Sequence, residues 1–384
     1  KRYIYKSKKY NKKKNKEMNI NTDIEEIYNG IEYFIENLKK PKKDFSFFPA
    51  LNGLTKDGQK LSLGFSCYAL KIYYMLGKTR KIDNLGAWAD YIISFQTEEQ
   101  GLPKNSYIDT HLKESYANFD LMSSSKESIK KLLNFLNIRD FESKESKFKK
   151  AINAETKQAI STLYEVKYPS EKLITNEFGE FKNLEIFLDN LNWNLPWDAG
   201  AQFSSFCVYS TTQNFNIKKD LINFIDKKVD IDTGSYFTNR PSNPRQIING
   251  AMKVITGLDW LGEEIHYPKN LIDFCLNNKP IQEGCDIVDF VYTLYMCSQQ
   301  TDYKKKEIND LFVEITKDIF DLYFNEDGGF SYFQDKSQSH YYGIKITNSL
   351  KTPDLHGTLL CLWAINMILN NMDRLEDDKQ IIKP

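Results

Sequence analysis

The sequence has no excess of charge of either sign. Its 384 residues contain 52 Lys and Arg and 52 Asp and Glu, so the formal net charge is zero. Proteins that bind nucleic acid or an anionic membrane surface usually carry a basic excess. We therefore expect no nucleic-acid partner for this chain.

Long apolar runs are also absent. No stretch reaches the roughly 20 apolar residues that cross a bilayer as a helix, and the Lys- and Asn-rich start lacks the apolar segment of a signal peptide. These absences predict a cytoplasmic protein with no integral membrane segment. Residues 1–20 are basic and lack apolar periodicity, so we predict a flexible basic arm there.

Cysteine and histidine are scarce, with six and four residues respectively. The cysteines are scattered, form no Cys-x-x-Cys pair and fall mostly inside apolar helical patterns. This distribution is typical of reduced, buried thiols. We predict no disulfide framework.

Strand alternation does not persist anywhere, which predicts an all-α fold. Amphipathic helices alternate with helices that are apolar on nearly every side, and turns containing Gly and aromatic residues, such as 232–237 and 327–332, join them. In a single-layer solenoid every helix keeps one face exposed to solvent, which does not suit helices that are apolar on nearly every side. Two concentric rings of helices fit the pattern better. We therefore predict an α/α toroid, a barrel of helical hairpins, as a single domain over 21–384.

The stretch at about 120–180 departs from this pattern because it is rich in Lys, Glu and Ser. Amphipathic helices are predicted there, near 126–136 and 145–165. We interpret this stretch as a polar helical insertion whose helices face outward.

Two predicted helices near the end of the chain begin with polar residues and then continue as long apolar sequences. Asp286 and Asp289 open the first helix, and Asp354 and His356 open the second. Helix starts carry unpaired N–H groups and the positive end of the helix dipole, so they are suited to a binding site. Asp354 is predicted to be an N-cap. Asp289 lies a turn inside an apolar helix, where an unpaired carboxylate would be costly.

These residues resemble a motif of the terpenoid cyclase/protein prenyltransferase superfamily, whose members are α/α toroids. In its prenyltransferases an Asp-x-Cys pair starts one helix, a Gly-Gly turn follows, and His-x-x-x-x-Cys marks another helix. Asp289 matches the aspartate, and His356 with Cys361 matches the histidine segment, while Val291 stands at the thiolate position. The resemblance implies zinc ligands at Asp289 and His356, with Cys285 as the substitute thiolate. Because of Val291, we predict no cofactor and a metal-free pair.

A second resemblance is to polysaccharide lyases and hydrolases built on α/α toroids. It is carried by the turn at 327–330 with the segment at 340–343, and by Trp193 with the Trp197-Asp198 pair. Sites of this class combine acidic, His and Tyr residues with aromatic platforms. This resemblance implies a glycan substrate.

The candidate site residues fall into two groups. The predicted catalytic residues are Asp289, His356, Asp286 and Asp198. The predicted substrate-binding residues are Trp193, Trp197, Tyr236, Tyr292, Tyr332, His340 and Tyr341. Asp289 and His356 are expected to lie close together at the mouth of a central cavity.

Three functions remain open on the sequence alone. The first is a prenyltransferase- or terpene-cyclase-like enzyme acting in a central cavity on an isoprenoid-like or similar apolar small molecule. The second is a carbohydrate-active enzyme of the lyase or hydrolase type, and the third is a non-catalytic toroid that binds a partner protein or glycan. Apolar cavity walls would favour the first, a polar groove the second, and a cavity filled by side chains the third.

Overall fold

The computed structural model describes residues 20–100, 102–117, 143–174 and 184–384. This part of the chain is mostly helical, which confirms the expected all-α class. Its α-helices are α1 (Ile20–Leu38), α2 (Lys56–Lys60), α3 (Leu63–Met75), α4 (Leu85–Ile93), α5 (Thr110–Ala117), α6 (Lys144–Glu165), α7 (Leu184–Asp189), α8 (Pro196–Thr212), α9 (Lys218–Ile225), α10 (Pro244–Leu261), α11 (Pro268–Leu276), α12 (Gly284–Ser298), α13 (Lys305–Phe320) and α14 (Leu355–Asn371).

Strands in the described residues are limited to three two-stranded antiparallel ribbons. They pair β1 (Gln96–Thr97) with β2 (Ser106–Tyr107), β3 (Tyr323–Phe324) with β4 (Gly329–Phe330), and β5 (His340–Tyr341) with β6 (Ile344–Lys345). Each ribbon lies within a connection between helices. The ribbons therefore shape loops and do not alter the fold class.

Six of the helices contact one another in a closed series, which we call the six-helix cycle. α3 packs against α6, α6 against α8, α8 against α10, α10 against α12, α12 against α14, and α14 returns to α3. α3, α12 and α14 are apolar on nearly every side, so neighbours can cover them all round, whereas α6 is rich in Lys and Glu. In α14 every residue is buried except His356 and Asn370.

The helices of the cycle run parallel, because residues near their starts contact residues near other starts. The Arg245 guanidinium lies over the Trp197 ring, 5.5 Å from its centre, and also pairs with Asp286. The Tyr68 and His356 rings stack with their centres 4.7 Å apart. The starts of α8, α10, α12 and α14 therefore lie at one end. We call it the N-terminal end.

The amphipathic helices α1 and α13 each pack against helices of the cycle through one apolar face. α1 buries Ile24, Ile27, Ile31, Phe34, Ile35 and Leu38, the spacing of a single helical stripe. α13 contacts α12 and α14 and buries Ile308, Phe312, Ile315 and Ile319 in the same way. Their other faces carry the Lys and Glu residues that the sequence places there.

The prediction of an outward-facing insertion at about 120–180 is wrong for its helix near 145–165. α6 packs between α3 and α8 as a member of the cycle, and it buries Glu155 and Glu165 along with its apolar residues. The helix predicted near 126–136 lies outside the described residues. The predicted basic arm lies outside them as well, apart from Ile20, which begins α1.

Candidate functional site

Asp289 lies on the face of α12 that also carries Cys285 and Tyr292, which are four residues before it and three after it. Its carboxylate is 1% exposed. One oxygen, Oδ1, accepts from the Lys253 ammonium of α10 at 3.4 Å, and the other, Oδ2, is buried with no hydrogen-bond partner among the described residues. Burial raises the pKa of Asp289 to about 6, although the Lys253 charge opposes that shift. Asp289 can therefore gain or lose a proton near neutral pH.

His356 occupies the first turn of α14 and is held between two tyrosine rings. The Tyr68 ring of α3 stacks on it with an interplanar angle of 10°, and the Tyr332 ring lies 5.2 Å from it, centre to centre, at 33°. Its Nδ1 atom is buried without a hydrogen-bond partner in the described part of the chain. Burial, together with the Lys253 charge, lowers the pKa of His356 to about 3, so the imidazole is neutral at pH 7.

The loop that carries Tyr332 is fixed between the starts of α12 and α14. Asp354 caps α14 by accepting from the Gly357 N–H at 2.8 Å, and its other oxygen accepts from the Tyr332 N–H at 2.8 Å. The Tyr332 carbonyl accepts from the Gly284 N–H at 2.8 Å. A Cβ at Gly357 would overlap the Tyr332 backbone nitrogen, so this approach requires glycine. The predicted N-cap role of Asp354 is confirmed, and it also positions Tyr332 beside His356.

The sequence analysis missed two half-buried lysines, Lys253 beside Asp289 and Lys157 on α6. Lys157 of α6 donates from Nζ to Ser204 Oγ of α8 at 2.8 Å. Burial, followed by the positive charge of Lys253, lowers the pKa of Lys157 to about 7, and the Asp289 charge acts in the opposite direction. The Lys157 pKa thus responds to charges on α10 and α12, although the neighbours of α6 in the cycle are α3 and α8.

The side chains around Asp289 and His356 are not all fully buried. The half-buried residues of the region are Lys157, Lys253, Cys285, Tyr332, Tyr342 and His356, and most of their neighbours along α10, α12 and α14 are fully buried. Lys253 contacts Asp289 and Tyr332 contacts His356, so half-buried side chains adjoin the two buried groups. We call Asp289, His356, Cys285, Tyr332, Tyr68, Lys157 and Lys253 the Asp289–His356 site.

The ribbon of β5 and β6 closes against one side of the site. Its Tyr341 hydroxyl donates to Glu155 Oε1 of α6 at 2.9 Å, and Glu155 Oε2 accepts from the Asp109 N–H at 2.7 Å. Burial and the nearby Asp109 charge raise the pKa of Glu155 well above its usual value. Glu155 was missed because a single Glu in a Lys/Glu-rich helix gives no signal in the sequence.

Several predicted site residues lie at the same end of the cycle without facing Asp289. Asp286 is bound by Arg245 Nε and, at 2.7 Å, by the Asn249 amide, so it joins α12 to α10. Trp197 lies beneath the Arg245 guanidinium. Asp198 is exposed and pairs with Lys150 of α6.

Other predicted residues lie apart from the site. Trp193 is buried against Phe203 and Phe224, and its Nε1 donates to the Leu188 carbonyl at 2.8 Å, so it is a core residue. The Tyr236 hydroxyl and His266 Nδ1 are 3.1 Å apart, in a contact outside the cycle. His340 is exposed. Trp193 and Tyr236 thus fill gaps between helices, His340 faces solvent, and their predicted part in substrate binding stays a prediction.

Tyr292 lies one turn beyond Asp289 on the same face of α12. Its ring packs against Trp363, with ring centres 5.2 Å apart, and neither the Tyr292 hydroxyl nor Trp363 Nε1 has a hydrogen-bond partner among the described residues. Both residues are almost fully buried. Two further hydrogen-bond donors, the Tyr292 hydroxyl and the Trp363 indole N–H, are therefore buried without a partner in the described residues, beginning one helical turn beyond Asp289.

The described residues do not form a zinc site. Across 20–100, 102–117, 143–174 and 184–384, no three His, Cys, Asp or Glu side chains converge in a group that could hold a metal ion. Asp289, Cys285 and His356 thus do not fit the ligand set that the first resemblance implies. Burial, with the Asp289 charge next in effect, raises the pKa of the Cys285 thiol to about 12, which disfavours the thiolate that zinc requires.

None of the helices in the described part of the chain has the length and apolarity that crossing a bilayer needs. Comparison with protein-family models, curated proteins and solved structures finds no match to this chain. The functional assignment therefore depends on the geometry of the site.

Proposed function

We propose that the chain is an α/α toroid, with the six-helix cycle as its inner ring. The closed series of contacts and the parallel direction of the six helices support this arrangement. The amphipathic helices α1, α9, α11 and α13 supply an outer ring, since each buries one face and exposes the other. In this arrangement the Asp289–His356 site lies on the axis, at the N-terminal end.

We further propose that the protein is an enzyme that performs acid–base chemistry on a carbohydrate at this site. The observation that carries the proposal is that Asp289 Oδ2 and His356 Nδ1 are both buried without a hydrogen-bond partner in the described residues, while the half-buried side chains of Lys253 and Tyr332 contact these two residues. Buried polar atoms in native proteins are almost always hydrogen-bonded. Two that are not, on facing helices, are suited to bind and move protons on a ligand.

The lining of the site favours a carbohydrate over an isoprenoid. Lys253 and Asp289 form an ion pair there, and Lys157, whose pKa burial lowers to about 7, is ionised in part near neutral pH. Covering such groups with a hydrocarbon chain would remove their hydration without replacing it. A substrate with many hydroxyl groups can exchange hydrogen bonds with them instead.

The geometry suggests a role for each group. Asp289, with a pKa of about 6, serves as a general base when ionised and as an acid when protonated. Lys253 holds the Asp289 carboxylate in place through Oδ1 and leaves Oδ2 for the substrate. His356 stays neutral and offers Nδ1, while the two tyrosine rings fix the plane of its imidazole.

The test is a screen of polysaccharides and oligosaccharides for released reducing ends and for unsaturated products that absorb in the ultraviolet. Once a substrate is found, Asp289→Asn should lower kcat by about 10²- to 10⁴-fold, the range for loss of a general acid or base. Asp198→Asn is the matched control, because it removes an exposed carboxylate from the same end of the cycle. Full activity in Asp289→Asn would refute the proposal.

A further inference from the structure

Tyr68 stacks on His356 from α3, and its position depends on how that helix begins. The Ser62 side chain makes no capping bond at the start of α3. Instead the buried Asp109 carboxylate, just before α5, accepts through Oδ2 from the Ser62 N–H at 2.6 Å and from the Leu63 N–H at 2.9 Å. A carboxylate there satisfies N–H groups that the first helical turn leaves unpaired. Asp109 therefore fixes the start of the helix that carries Tyr68.

Glu155 of α6 joins this cap to the ribbon of β5 and β6. Its Oε2 atom accepts from the Asp109 N–H at 2.7 Å, and its Oε1 atom accepts from the Tyr341 hydroxyl at 2.9 Å. Asp109 and Glu155 are 2% and 1% exposed. Two buried acidic groups so close together are costly for stability, which indicates a role beyond packing.

The Tyr341 hydroxyl lies between α3 and α6. A Cβ at Gly64 would lie 2.0 Å from this hydroxyl, so glycine allows it to reach Glu155. The Tyr341 ring packs against two rings of α3, with its centre 5.2 Å from that of Phe65 and 6.4 Å from that of Tyr68. The contact with Tyr68 is edge to face, at 80°. Tyr341 therefore holds Tyr68 from the side.

We infer that Glu155 and Tyr341 are positioning residues that hold Tyr68 against His356 and so fix the plane of the imidazole. The Tyr68 and His356 rings are nearly parallel, with 4.7 Å between their centres, and a tilt of Tyr68 would break this stack. Any effect of this positioning on turnover rests on the proposed function. The positioning itself can be measured without a substrate.

The test is nuclear magnetic resonance of the full chain with carbon-13 in the histidine rings. His356→Gln identifies the His356 signal among the four histidines. A tyrosine face shields a stacked ring, so Tyr68→Leu should move the His356 signal downfield and define the loss of the stack. Tyr341→Phe removes only the hydroxyl bound to Glu155 and should move the His356 signal in the same direction. An unchanged His356 signal in Tyr341→Phe would overturn the inference.

Tyr236→Phe is the matched control for the loss of a buried tyrosine hydroxyl. The Tyr236 hydroxyl lies 3.1 Å from Nδ1 of another histidine, His266, outside the cycle. This substitution should move the His266 signal and leave the His356 signal in place. If it moved the His356 signal as far as Tyr341→Phe does, the effect would be general loosening, and the inference would fail.

Substitutions at Glu155 test the hydrogen bonds. Glu155→Gln can keep both of them, because its carbonyl can accept from the Asp109 N–H and its amide can donate to the Tyr341 oxygen. It should therefore keep the His356 signal near its original position, whereas Glu155→Leu, which can form neither bond, should move it. Equal shifts in the two variants would overturn the inference.

Turnover separates this inference from the proposed function. If both hold, Tyr341→Phe should lower kcat about tenfold or more with a smaller change in KM, because a displaced catalytic group loses rate more than binding. A shifted His356 signal with unchanged turnover would support the positioning and refute a catalytic part for His356. Lost turnover with an unshifted His356 signal would overturn the positioning and leave the proposed function standing.

Discussion

The two ends of the six-helix cycle treat buried polar groups differently. At the C-terminal end, Asn366 accepts from the Tyr28 hydroxyl at 2.9 Å and donates to the carbonyls of Met75 and Gln380. Lys71 pairs with Glu165, whose second oxygen accepts from the Lys383 N–H at 2.8 Å. These groups use their hydrogen bonds to hold helices and the end of the chain together.

At the N-terminal end, Glu155 and Asp354 also use both carboxylate oxygens, but two other buried groups are only half used. Asp289 bonds through one oxygen, and His356 leaves Nδ1 without a partner in the described residues. An unmade hydrogen bond in a buried place is costly, so a native protein keeps one mainly where a ligand completes it. The difference between the ends separates polar groups that stabilise the fold from those that are suited to chemistry.

The largest expected effect on stability is at the C-terminal end. Lys71→Met leaves the Glu165 carboxylate buried without its partner, which should lower the free energy of unfolding by about 3–5 kcal/mol. Urea unfolding of both proteins measures the change. Lys149→Met, at an exposed pair, should change it by less than about 0.5 kcal/mol. A loss below about 1 kcal/mol in Lys71→Met would mean that this end is not held by its polar pairs.

A smaller loss in the free energy of unfolding is expected at Asp354, the N-cap of α14 that also positions Tyr332. Asp354→Ala removes the N-cap of α14 and should cost up to about 2 kcal/mol. It should also weaken ligand binding, because Tyr332 loses the acceptor that positions it. The control is Asn243→Ala, which removes the N-cap of α10, where the Asn243 side chain accepts from the Arg245 N–H at 3.0 Å. If both variants weakened binding equally, Asp354 would be only a cap.

The smallest effect is expected at Asp198. Its pair with Lys150 is exposed, so Asp198→Asn should shift the free energy of unfolding by no more than about 0.5 kcal/mol. Turnover should not change, because the carboxylate does not face Asp289. A large loss of activity without loss of stability would move the site towards the start of α8.

The sequence predicted the helices of the cycle better than the direction of their side chains. The starts of α12 and α14 follow from apolar periodicity and from Asp354, and both agree with the structure within a residue or two. Asp289 was identified because a carboxylate inside an apolar helix is conspicuous. Its neighbour Lys253 lies in a helix with polar residues on several faces, so one more lysine there does not stand out in the sequence.

The missed residues of α6 have a physical reason. Glu155 and Glu145 are chemically identical, and only the packing of α6 between α3 and α8 buries the first and exposes the second. The same limit explains Trp193 and Tyr236, which were expected in the site. Aromatic residues at turns can face the axis or fill gaps between helices, and tertiary packing decides which.

The most direct test of the central claim is the stability of Asp289→Asn as a function of pH. Burial raises the pKa of Asp289 from 3.8 to about 6, so the folded state favours the protonated carboxyl. Its contribution to stability is complete below about pH 4 and is lost as the pH rises through 6, a loss of about 3 kcal/mol for this shift. Because asparagine does not ionise, the Asp289→Asn variant does not lose this stability as the pH rises.

Unfolding of both proteins in urea at pH 4 and pH 8 measures the difference. We predict that Asp289→Asn and the unaltered chain have nearly equal free energies of unfolding at pH 4. At pH 8 the variant should be as stable as the unaltered chain or more stable. That result would identify Asp289 as a residue kept at the expense of stability. A variant less stable by several kcal/mol at both pH values would instead make Asp289 a structural residue like Glu165, and would contradict the account.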